Sequence, residues 1–162
     1  MKFRTADLCD DHDAILQVAE GLFGDFGGLD CFCGMISTVK SYEDNSLVRS
    51  ALDEPGEGRV LVIDGGASMK RSMLGDRLAE KAVDNGWRGV VINGCLRDSA
   101  VIAEMALGVK ALGTAPRKTE KQGQGLRDVA VRFADVDFVP GYWLYADEDG
   151  MVVCEKKLVD VG

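Results

Sequence analysis

Residues 60–98 contain the feature that most restricts how this chain can fold: two apolar strand segments, each followed by a glycine-containing turn. The first segment, residues 60–63, leads into an Asp-Gly-Gly turn, and the second leads into Asn93-Gly94. Between them, residues 76–85 have the apolar spacing of a helix, and Gly86 follows as a left-handed stop. Strand, helix and strand in this order indicate a parallel βαβ unit, and such sheets bind ligands beyond the carboxyl ends of their strands.

Hydrophobic spacing and turn residues predict further elements on both sides of this unit. In chain order, these predictions are a helix over 10–22, a strand over 34–40, a helix over 45–52, strands over 59–63 and 87–92, a helix over 99–107, a strand over 109–112, a polar loop over 116–125, and a hairpin of strands 143–146 and 151–154 joined by the four residues 147–150. Alternating apolar residues over 129–139 predict additional antiparallel strands. The expected fold class is α/β, with central parallel βαβ units and flanking antiparallel strands in a single domain, 1–162.

Composition and charge narrow the classes of function. The 162 residues are 46% hydrophobic and 28% charged, as in an ordinary globular domain. No apolar run is long enough for a membrane span and the N-terminus lacks a signal-peptide core, so we expect a cytoplasmic protein without membrane association. A net charge of −8 argues against direct nucleic-acid binding. The five cysteines are predicted to be reduced, and His12 alone is a poor basis for a zinc site.

Several catalytic and nucleotide-binding motifs are incomplete. The glycine-containing segment 65–70 lacks the Gly-Lys-Ser/Thr ending of a P-loop. The chain has no G-x-S-x-G elbow and no G-x-G-x-x-G after a strand, and a lone histidine does not supply a standard nucleophile triad. A Ser-x-x-Lys string at 37–40 falls in a predicted strand and has no Ser-Asp-Asn companion. Penicillin-type acylation is therefore not expected.

Three charged residues, Asp76, Arg97 and Asp98, remain as candidates because they flank the βαβ unit. Each has an ordinary structural interpretation, since Asp76 favours a helix N-terminus, Asp98 suits the N-cap of the next helix and Arg97 suits a surface ion pair. In the functional interpretation, Arg97 binds a carboxylate or enolate oxygen of a ligand, and Asp98 is an oxygen ligand for Mg²⁺ or Mn²⁺. The residues alone leave both interpretations open.

Several segments of the chain resemble the RraA family, which contains regulators of ribonuclease E activity and divalent-metal-dependent 4-hydroxy-4-methyl-2-oxoglutarate aldolases. The similar segments are 26–28, 42–45, 60–66, 75–78, 89–94 and 145–150. The resemblance covers nearly the whole chain. It implies a swivelling β/β/α architecture and a homotrimer with sites at subunit contacts.

The aldolase branch of that family is marked by an Asp, twenty intervening residues and an Arg-Asp pair. Asp76, Arg97 and Asp98 match this pattern. The other pair, Arg127-Asp128, has Ala106 at the corresponding upstream position and does not follow a predicted parallel strand. Because aspartate is frequent in this chain, the match gains its weight from spacing and strand-end position together.

The resemblance also implies a role for each site residue. The pyruvyl carboxylate of the substrate would bind backbone amides at a helix N-terminus, those of Gly75, Asp76, Arg77 and Leu78. Arg97 would bind the C2 oxygen, Asp98 would hold the divalent cation, and Asp76 would position a water for proton transfer. The implied enzyme is a class II pyruvate aldolase that cleaves 4-hydroxy-4-methyl-2-oxoglutarate-type acids and decarboxylates oxaloacetate through the same pyruvate enolate.

The alternative implied by the same resemblance is a non-catalytic regulator that binds and inhibits ribonuclease E. Regulators of that branch need not keep an Asp after the Arg, so Asp98 favours the lyase. A third label given to such sequences, demethylmenaquinone methyltransferase, is not expected. The chain has no glycine-rich strand-helix motif suited to S-adenosylmethionine.

Overall fold

The computed structural model describes residues 2–160 and alternates strands and helices in the middle of the chain. Its helices are α1 (Thr5–His12), α2 (Ser46–Leu52), α3 (Asp76–Asp84) and α4 (Ser99–Ile102). Its strands are β1 (Leu16–Val18), β2 (Gly24–Asp25), β3 (Phe32–Lys40), β4 (Val60–Asp64), β5 (Gly89–Leu96), β6 (Gly108–Thr114), β7 (Leu126–Arg127), β8 (Val131–Phe133), β9 (Val136–Phe138), β10 (Trp143–Asp147) and β11 (Gly150–Cys154). Within the described range, no helix has the length and apolar character of a membrane crossing.

The long strand β3 joins a parallel and an antiparallel part of one sheet. Its residues 32–35 pair antiparallel with β10, and its residues 36–40 pair parallel with β4. The strand order is β1-β11-β10-β3-β4-β5-β6-β2, and β7 also pairs with β3. Helices α2, α3 and α4 connect the successive parallel strands from β3 to β6. This arrangement confirms the predicted α/β class with central parallel units and flanking antiparallel strands.

The parallel part of the sheet is covered on both faces. On one face, α2, α3 and α4 pack against alternate strand residues such as Leu61 and Ile92. On the other face, β10, β11 and the β8-β9 hairpin pack against Val62 and Val91. The sheet therefore curls at β3, and Lys110 Nζ on β6 donates a hydrogen bond of 2.6 Å to the Asp147 carbonyl at the end of β10. Burial on both faces explains why the parallel strands are continuous apolar runs.

The central predictions agree with the structure within a few residues. The strand predicted over 34–40, the helices over 45–52 and 76–85 and the strand over 59–63 correspond to β3, α2, α3 and β4. Gly86 has φ +80°, as its predicted role of left-handed stop requires. These elements lie where apolar spacing and turn chemistry give the same answer.

The helix predicted over residues 10–22 is wrong. Helix α1 ends at His12, a short 3₁₀ segment follows over Asp13–Ile15, and Leu16–Val18 form β1. Strand β1 pairs antiparallel with β11, so a partner more than 130 residues away overrides the local helical spacing. Val18 and Leu22, whose apolar spacing suggested the helix, are 52% and 60% exposed.

Three other predicted boundaries also need correction. Helix α4 covers one turn of the predicted 99–107, because the carbonyls of Met105 and Leu107 accept hydrogen bonds from the backbone of residues 28–29. Strand β5 begins two residues later than predicted and continues to Leu96, with a register shift between residues 92 and 95. The hairpin turn has two residues, because Asp147 pairs with Gly150.

Candidate functional site

The carboxyl ends of β3, β4, β5 and β6 lie at one edge of the sheet, where parallel strands place ligand sites. Arg97 and Asp98 follow β5 directly, and Asp76 is the first residue of α3, which follows β4 in the chain. The structure therefore brings Asp76, Arg97 and Asp98 together at this edge. Their chemical roles stay predictions.

Asp98 connects the end of β5 to the start of α3. Its Oδ2 accepts a hydrogen bond of 3.0 Å from the Asp76 N–H and lies 4.0 Å from Arg97 Nε. Its backbone is left-handed, with φ 57° and ψ 35°, a conformation that aspartate tolerates better than most residues. The side chain makes no capping bond to α4, contrary to the ordinary interpretation of Asp98 as an N-cap. The carboxylate instead faces the site.

Gly75 gives Arg97 and Asp98 the space to approach α3. Its backbone is extended, with φ −122°, so the residue is not required by backbone conformation. A Cβ atom at this position would lie 3.0 Å from Asp98 Oδ2 and 3.3 Å from Arg97 Nε. A side chain at residue 75 would therefore displace the two charged groups.

The amides at the start of α3 are partly engaged within the protein. The Asp76 N–H bonds Asp98, and the Arg77 N–H donates to Asp76 Oδ1 at 2.8 Å. A carboxylate bound at the predicted amide site would have to replace these bonds or use the amides of Gly75 and Leu78. The predicted four-amide site is therefore not preformed at Asp76 and Arg77.

Two cavities adjoin Arg97. One, of about 270 Å³, is lined by Arg97, Asp98, Ser99, Thr114, Ala115 and Pro116. The other, of about 260 Å³, has ten lining residues, namely Asn45, Arg49, Ser72, Gly75, Arg77, Leu78, Lys81, Arg97, Lys118 and Lys121. We call this second space the cationic cavity, because six of its ten lining residues are Arg or Lys and none is Asp or Glu. In a chain of net charge −8, such a local excess of positive charge favours a small anion with more than one negative group.

Six of the ten residues that line the cationic cavity had no predicted role, and four of these, Asn45, Arg49, Lys118 and Lys121, could have been found from the sequence. The signal was available, because these residues follow β3 and β6 and therefore lie at the same sheet edge as Arg97. The predicted site residues all come from the unit between β4 and β5. Extending the strand-end rule to all four parallel strands would have identified them.

Asp44, which precedes α2, is a buried carboxylate close to the cationic cavity. Its Oδ1 accepts bonds from the Ser46 N–H (2.9 Å) and hydroxyl (2.6 Å). Its Oδ2 accepts bonds from the backbone N–H groups of Gln122 (2.9 Å) and Gln124 (3.1 Å). Burial alone would raise the pKa of Asp44, but these hydrogen bonds outweigh it and lower the pKa from 3.8 to about 2.

This pKa predicts acid-dependent stability. Because the pKa of Asp44 is lower in the folded protein, its contribution is fully present above its ordinary pKa of 3.8 and disappears as pH falls through about 2. The difference corresponds to about 2 kcal/mol. We expect the advantage of wild type over Asp44→Asn in free energy of unfolding to shrink by this amount between pH 6 and pH 2.

Urea unfolding at fixed protein concentration measures this change, because association with other copies would also affect apparent stability. Asp137→Asn, on the exposed side of β9, controls for the general effect of removing one negative charge. An advantage of wild type that stays constant down to pH 2 would contradict the assignment.

The carboxylates at this edge can be compared with what a divalent cation needs as ligands. Within residues 2–160, no group of three or more His, Cys, Asp or Glu side chains converges as a metal cluster. Mg²⁺ often binds proteins through one or two carboxylates and keeps several waters. Asp98, whose carboxylate also accepts the Asp76 N–H, would supply one carboxylate ligand to such a hydrated Mg²⁺ or Mn²⁺ ion.

Cys95 lies near the site but is not a candidate nucleophile. Its Sγ contacts the Arg71 carbonyl at 3.2 Å. Burial, together with the charge of Glu43, raises the pKa of the Cys95 thiol. A thiol with a raised pKa is protonated at neutral pH and reacts slowly.

Comparison with known proteins identifies the family of this chain. A family model described as RraA-like, Aldolase/RraA, matches residues 5–153. The chain belongs to this family. A relative from Alkalilimnicola ehrlichii is 56% identical over 159 residues, which cover 98% of this chain and 99% of the relative. A relative from Aromatoleum aromaticum is 52% identical over 159 residues, which cover 98% and 100%. Both are provisionally named 4-hydroxy-4-methyl-2-oxoglutarate aldolases.

Two solved structures have nearly the same fold. One from Geobacillus kaustophilus, named an S-adenosylmethionine:2-dimethylmenaquinone methyltransferase, has a TM-score of 0.95 and 49% identity, covering 99% of this chain and 100% of that chain. The RNA-processing inhibitor RraA from Thermus has a TM-score of 0.94 and 39% identity, covering 99% and 98%. The names of these similar proteins differ, so the function must be argued from the site.

Proposed function

We propose that the protein is a divalent-metal-dependent lyase that cleaves 4-hydroxy-2-oxo acids of the 4-hydroxy-4-methyl-2-oxoglutarate type to pyruvate. The same site would decarboxylate oxaloacetate. The observation that carries this proposal is the placement of Arg97 and Asp98 at the start of α3, beside the cationic cavity. The names of the relatives at 52–56% identity support the aldolase.

Arg97 is the residue that we assign to the developing negative charge. When the C3–C4 bond of the substrate breaks, its electrons move into the C2 carbonyl and leave a pyruvate enolate. The C4 hydroxyl loses its proton and becomes the carbonyl of the second product. Arg97, whose side chain is 40% exposed, donates hydrogen bonds to the C2 oxygen as this charge forms. In oxaloacetate the leaving group is CO₂, and the enolate is the same.

Asp98 and Asp76 have different roles in this proposal. A divalent cation held by Asp98 would supply Lewis-acid stabilisation of the enolate charge. Asp76 Oδ1 accepts the Arg77 N–H, so we assign to its Oδ2, through a water held between this carboxylate and the substrate, the removal of the C4 hydroxyl proton and the return of a proton to C3 of the enolate, which gives pyruvate. The bond from the Asp76 N–H to Asp98 fixes the relative position of the two residues.

In this proposal the cationic cavity binds a second carboxylate of the substrate. 4-Hydroxy-4-methyl-2-oxoglutarate carries a carboxylate at each end and keeps the second one through the cleavage, whereas oxaloacetate loses its second carboxylate as CO₂. With one end at α3 and Arg97, the other end lies within a cavity that also contains Arg49, Lys118 and Lys121. Each of these side chains is a donor for a carboxylate oxygen. A monocarboxylate such as pyruvate would not use them.

Gly75→Ala tests whether the spacing at α3 matters for this chemistry. Alanine accepts the extended backbone at this position, so we expect the melting temperature to change little. The new Cβ would displace Arg97 and Asp98, and we expect pyruvate formation to fall by about tenfold or more, since small misplacements of catalytic groups slow reactions strongly. Thermal unfolding and a pyruvate assay measure the two effects. A large loss of stability with unchanged activity per folded protein would contradict this explanation.

We also propose a cytoplasmic homotrimer with sites at subunit contacts, as the family resemblance implies. Tyr42 and Leu126 support a contact at this sheet edge, because they are 63% and 56% exposed and flank an open space of about 430 Å³. Exposed apolar residues around one surface are typical of association sites. Light scattering after size-exclusion chromatography measures the mass, and a monomeric mass at micromolar concentration would contradict the trimer.

The second candidate function is binding and inhibition of ribonuclease E. It is favoured by the likeness to the Thermus RraA structure, which has 39% identity over nearly the whole chain. This function predicts saturable binding to ribonuclease E that survives Asp98→Ala. Failure to detect a complex at micromolar concentrations would count against it.

The lyase is tested by following pyruvate from oxaloacetate and from 4-hydroxy-4-methyl-2-oxoglutarate. We expect formation of pyruvate with Mg²⁺, loss of activity with a chelator, and recovery when Mg²⁺ is restored. Equal rates with and without chelator would overturn the metal-dependent mechanism. Absence of pyruvate from either substrate would overturn the lyase.

A further inference from the structure

The loop over residues 116–125 joins β6 to β7 and contains no helix or regular strand. Long loops of this kind inside compact folds often serve a site. Two of its residues, Lys118 and Lys121, line the cationic cavity with Arg97. The position of these two ammonium groups depends on what holds the loop.

The start of α2 holds one side of the loop. Asp44 accepts the backbone N–H groups of Gln122 and Gln124 on the same carboxylate oxygen. The Ser46 hydroxyl, itself bonded to the other oxygen of Asp44, accepts the Gly123 N–H at 3.1 Å. Asp44 is only 3% exposed, so these hydrogen bonds lie in the interior of the protein and not at its surface.

Further bonds hold the part of the loop that precedes residue 122. The Thr119 hydroxyl donates to Asn45 Oδ1 at 2.7 Å, and both residues are buried. On the other side, Arg71 Nη1 donates to the Lys118 carbonyl at 2.9 Å, and the Ser72 N–H donates to the Arg117 carbonyl at 2.8 Å. The backbone on either side of Lys118 and Lys121 is therefore fixed before any ligand binds.

We propose that Asp44 is a positioning residue for substrates with a second carboxylate, because it fixes the loop that places Lys118 and Lys121 in the cationic cavity. Asp44 is not among the residues lining that cavity, so it acts through the loop. A loop that is ordered in advance spares the substrate the entropy of ordering it. This inference rests on the proposed lyase function and names residues that set its substrate preference.

Kinetics of Asp44→Asn test this role. The amide keeps the size of the side chain, but it replaces one acceptor oxygen with an NH₂ group, which cannot accept a hydrogen bond from a backbone N–H. We expect the KM for 4-hydroxy-4-methyl-2-oxoglutarate, which keeps its second carboxylate, to rise about tenfold, with kcat within about twofold of wild type. Exchange of the pyruvate methyl protons with deuterium should stay unchanged, since pyruvate has no second carboxylate. Thr119→Val, which removes the bond to Asn45, should shift KM in the same direction.

Asp137→Asn is the matched control, because it is the same chemical change on the exposed side of β9. It should leave both KM and proton exchange at wild-type values. Lys121→Ala should reproduce the KM increase of Asp44→Asn directly. A fall in kcat or in pyruvate exchange for Asp44→Asn, without the KM increase, would overturn the positioning role.

Amide hydrogen exchange separates this inference from the proposed function. In Asp44→Asn, peptides covering 117–125 should exchange faster, while those covering α3 should not change. Faster loop exchange with an unchanged KM for 4-hydroxy-4-methyl-2-oxoglutarate would overturn the inference and leave the lyase intact. If wild type makes no pyruvate, the proposed function fails and the substrate role of Asp44 fails with it. Unchanged exchange of the loop in Asp44→Asn would show that Asp44 does not hold the 116–125 loop.

Discussion

Arg97→Ala is expected to lower the rate of pyruvate formation by about 10²-fold or more, the usual effect of removing one donor to a developing oxyanion. The loss should appear in kcat and equally in the exchange of pyruvate methyl protons, because both reactions pass through the enolate. This pattern differs from that of Lys121→Ala, which should affect only the KM for 4-hydroxy-4-methyl-2-oxoglutarate. A coupled pyruvate assay and proton exchange followed by NMR measure the two rates.

The control for this variant is Arg132→Ala. Arg132 lies on the β8-β9 hairpin, its side chain is 56% exposed, and it pairs with Asp135 and Asp137 away from the site. Arg132→Ala removes the same positive charge as Arg97→Ala and should keep wild-type activity. If Arg97→Ala retained activity within about threefold, the enolate role of Arg97 would be wrong.

Asp98→Asn is expected to reduce pyruvate formation on the order of 10²-fold, comparable with the loss of an oxyanion donor, because Arg97 would then stabilise the charge alone. Asparagine is chosen because it tolerates the left-handed backbone and keeps an oxygen for the Asp76 N–H. The fold should therefore survive. Titration with Mg²⁺ should saturate the activity of wild type and leave the residual activity of the variant unchanged.

The chain provides a closely matched control for this substitution. Asp128 also follows an arginine, also has φ 57°, and also lies beside that arginine, with 2.6 Å between Arg127 Nη1 and Asp128 Oδ1. Asp128→Asn should keep the Mg²⁺ response of wild type. An equal loss of activity in both variants would show that the effect comes from backbone strain at an Arg-Asp pair and not from a cation site.

The parallel strands and α3 could be predicted from the sequence because their local signals agree with their burial. Val60 to Ile63 are buried on both faces, and an apolar run is the direct result of that position. Strand β1 could not be predicted, because it pairs with β11, more than 130 residues later in the chain. Its sequence has helical spacing, and the tertiary pairing decides its conformation.

The sequence indicated which sheet edge holds the candidate site, but not how the side chains are arranged there. Strand-end position was sufficient to select Arg97 and Asp98. The direction of the Asp98 carboxylate, toward α3 instead of α4, depends on the left-handed backbone at that residue, which no spacing rule indicated. The hydrogen bonds from the 116–125 loop to Asp44 join residues 78 and 80 positions apart, so local sequence patterns do not indicate them.

The curl of the sheet at β3 also determines the order in which a growing chain can complete its structure. Residues 32–114 contain every parallel strand and the helices between them, so this part can assemble while the rest is still being synthesised. The first residues of β3 and all of β1 must wait for β10 and β11, which come last. Until then Val62 and Val91 lack the part of their cover that β10 and β11 supply, and the nascent protein exposes an apolar face that a chaperone or a neighbouring chain can bind.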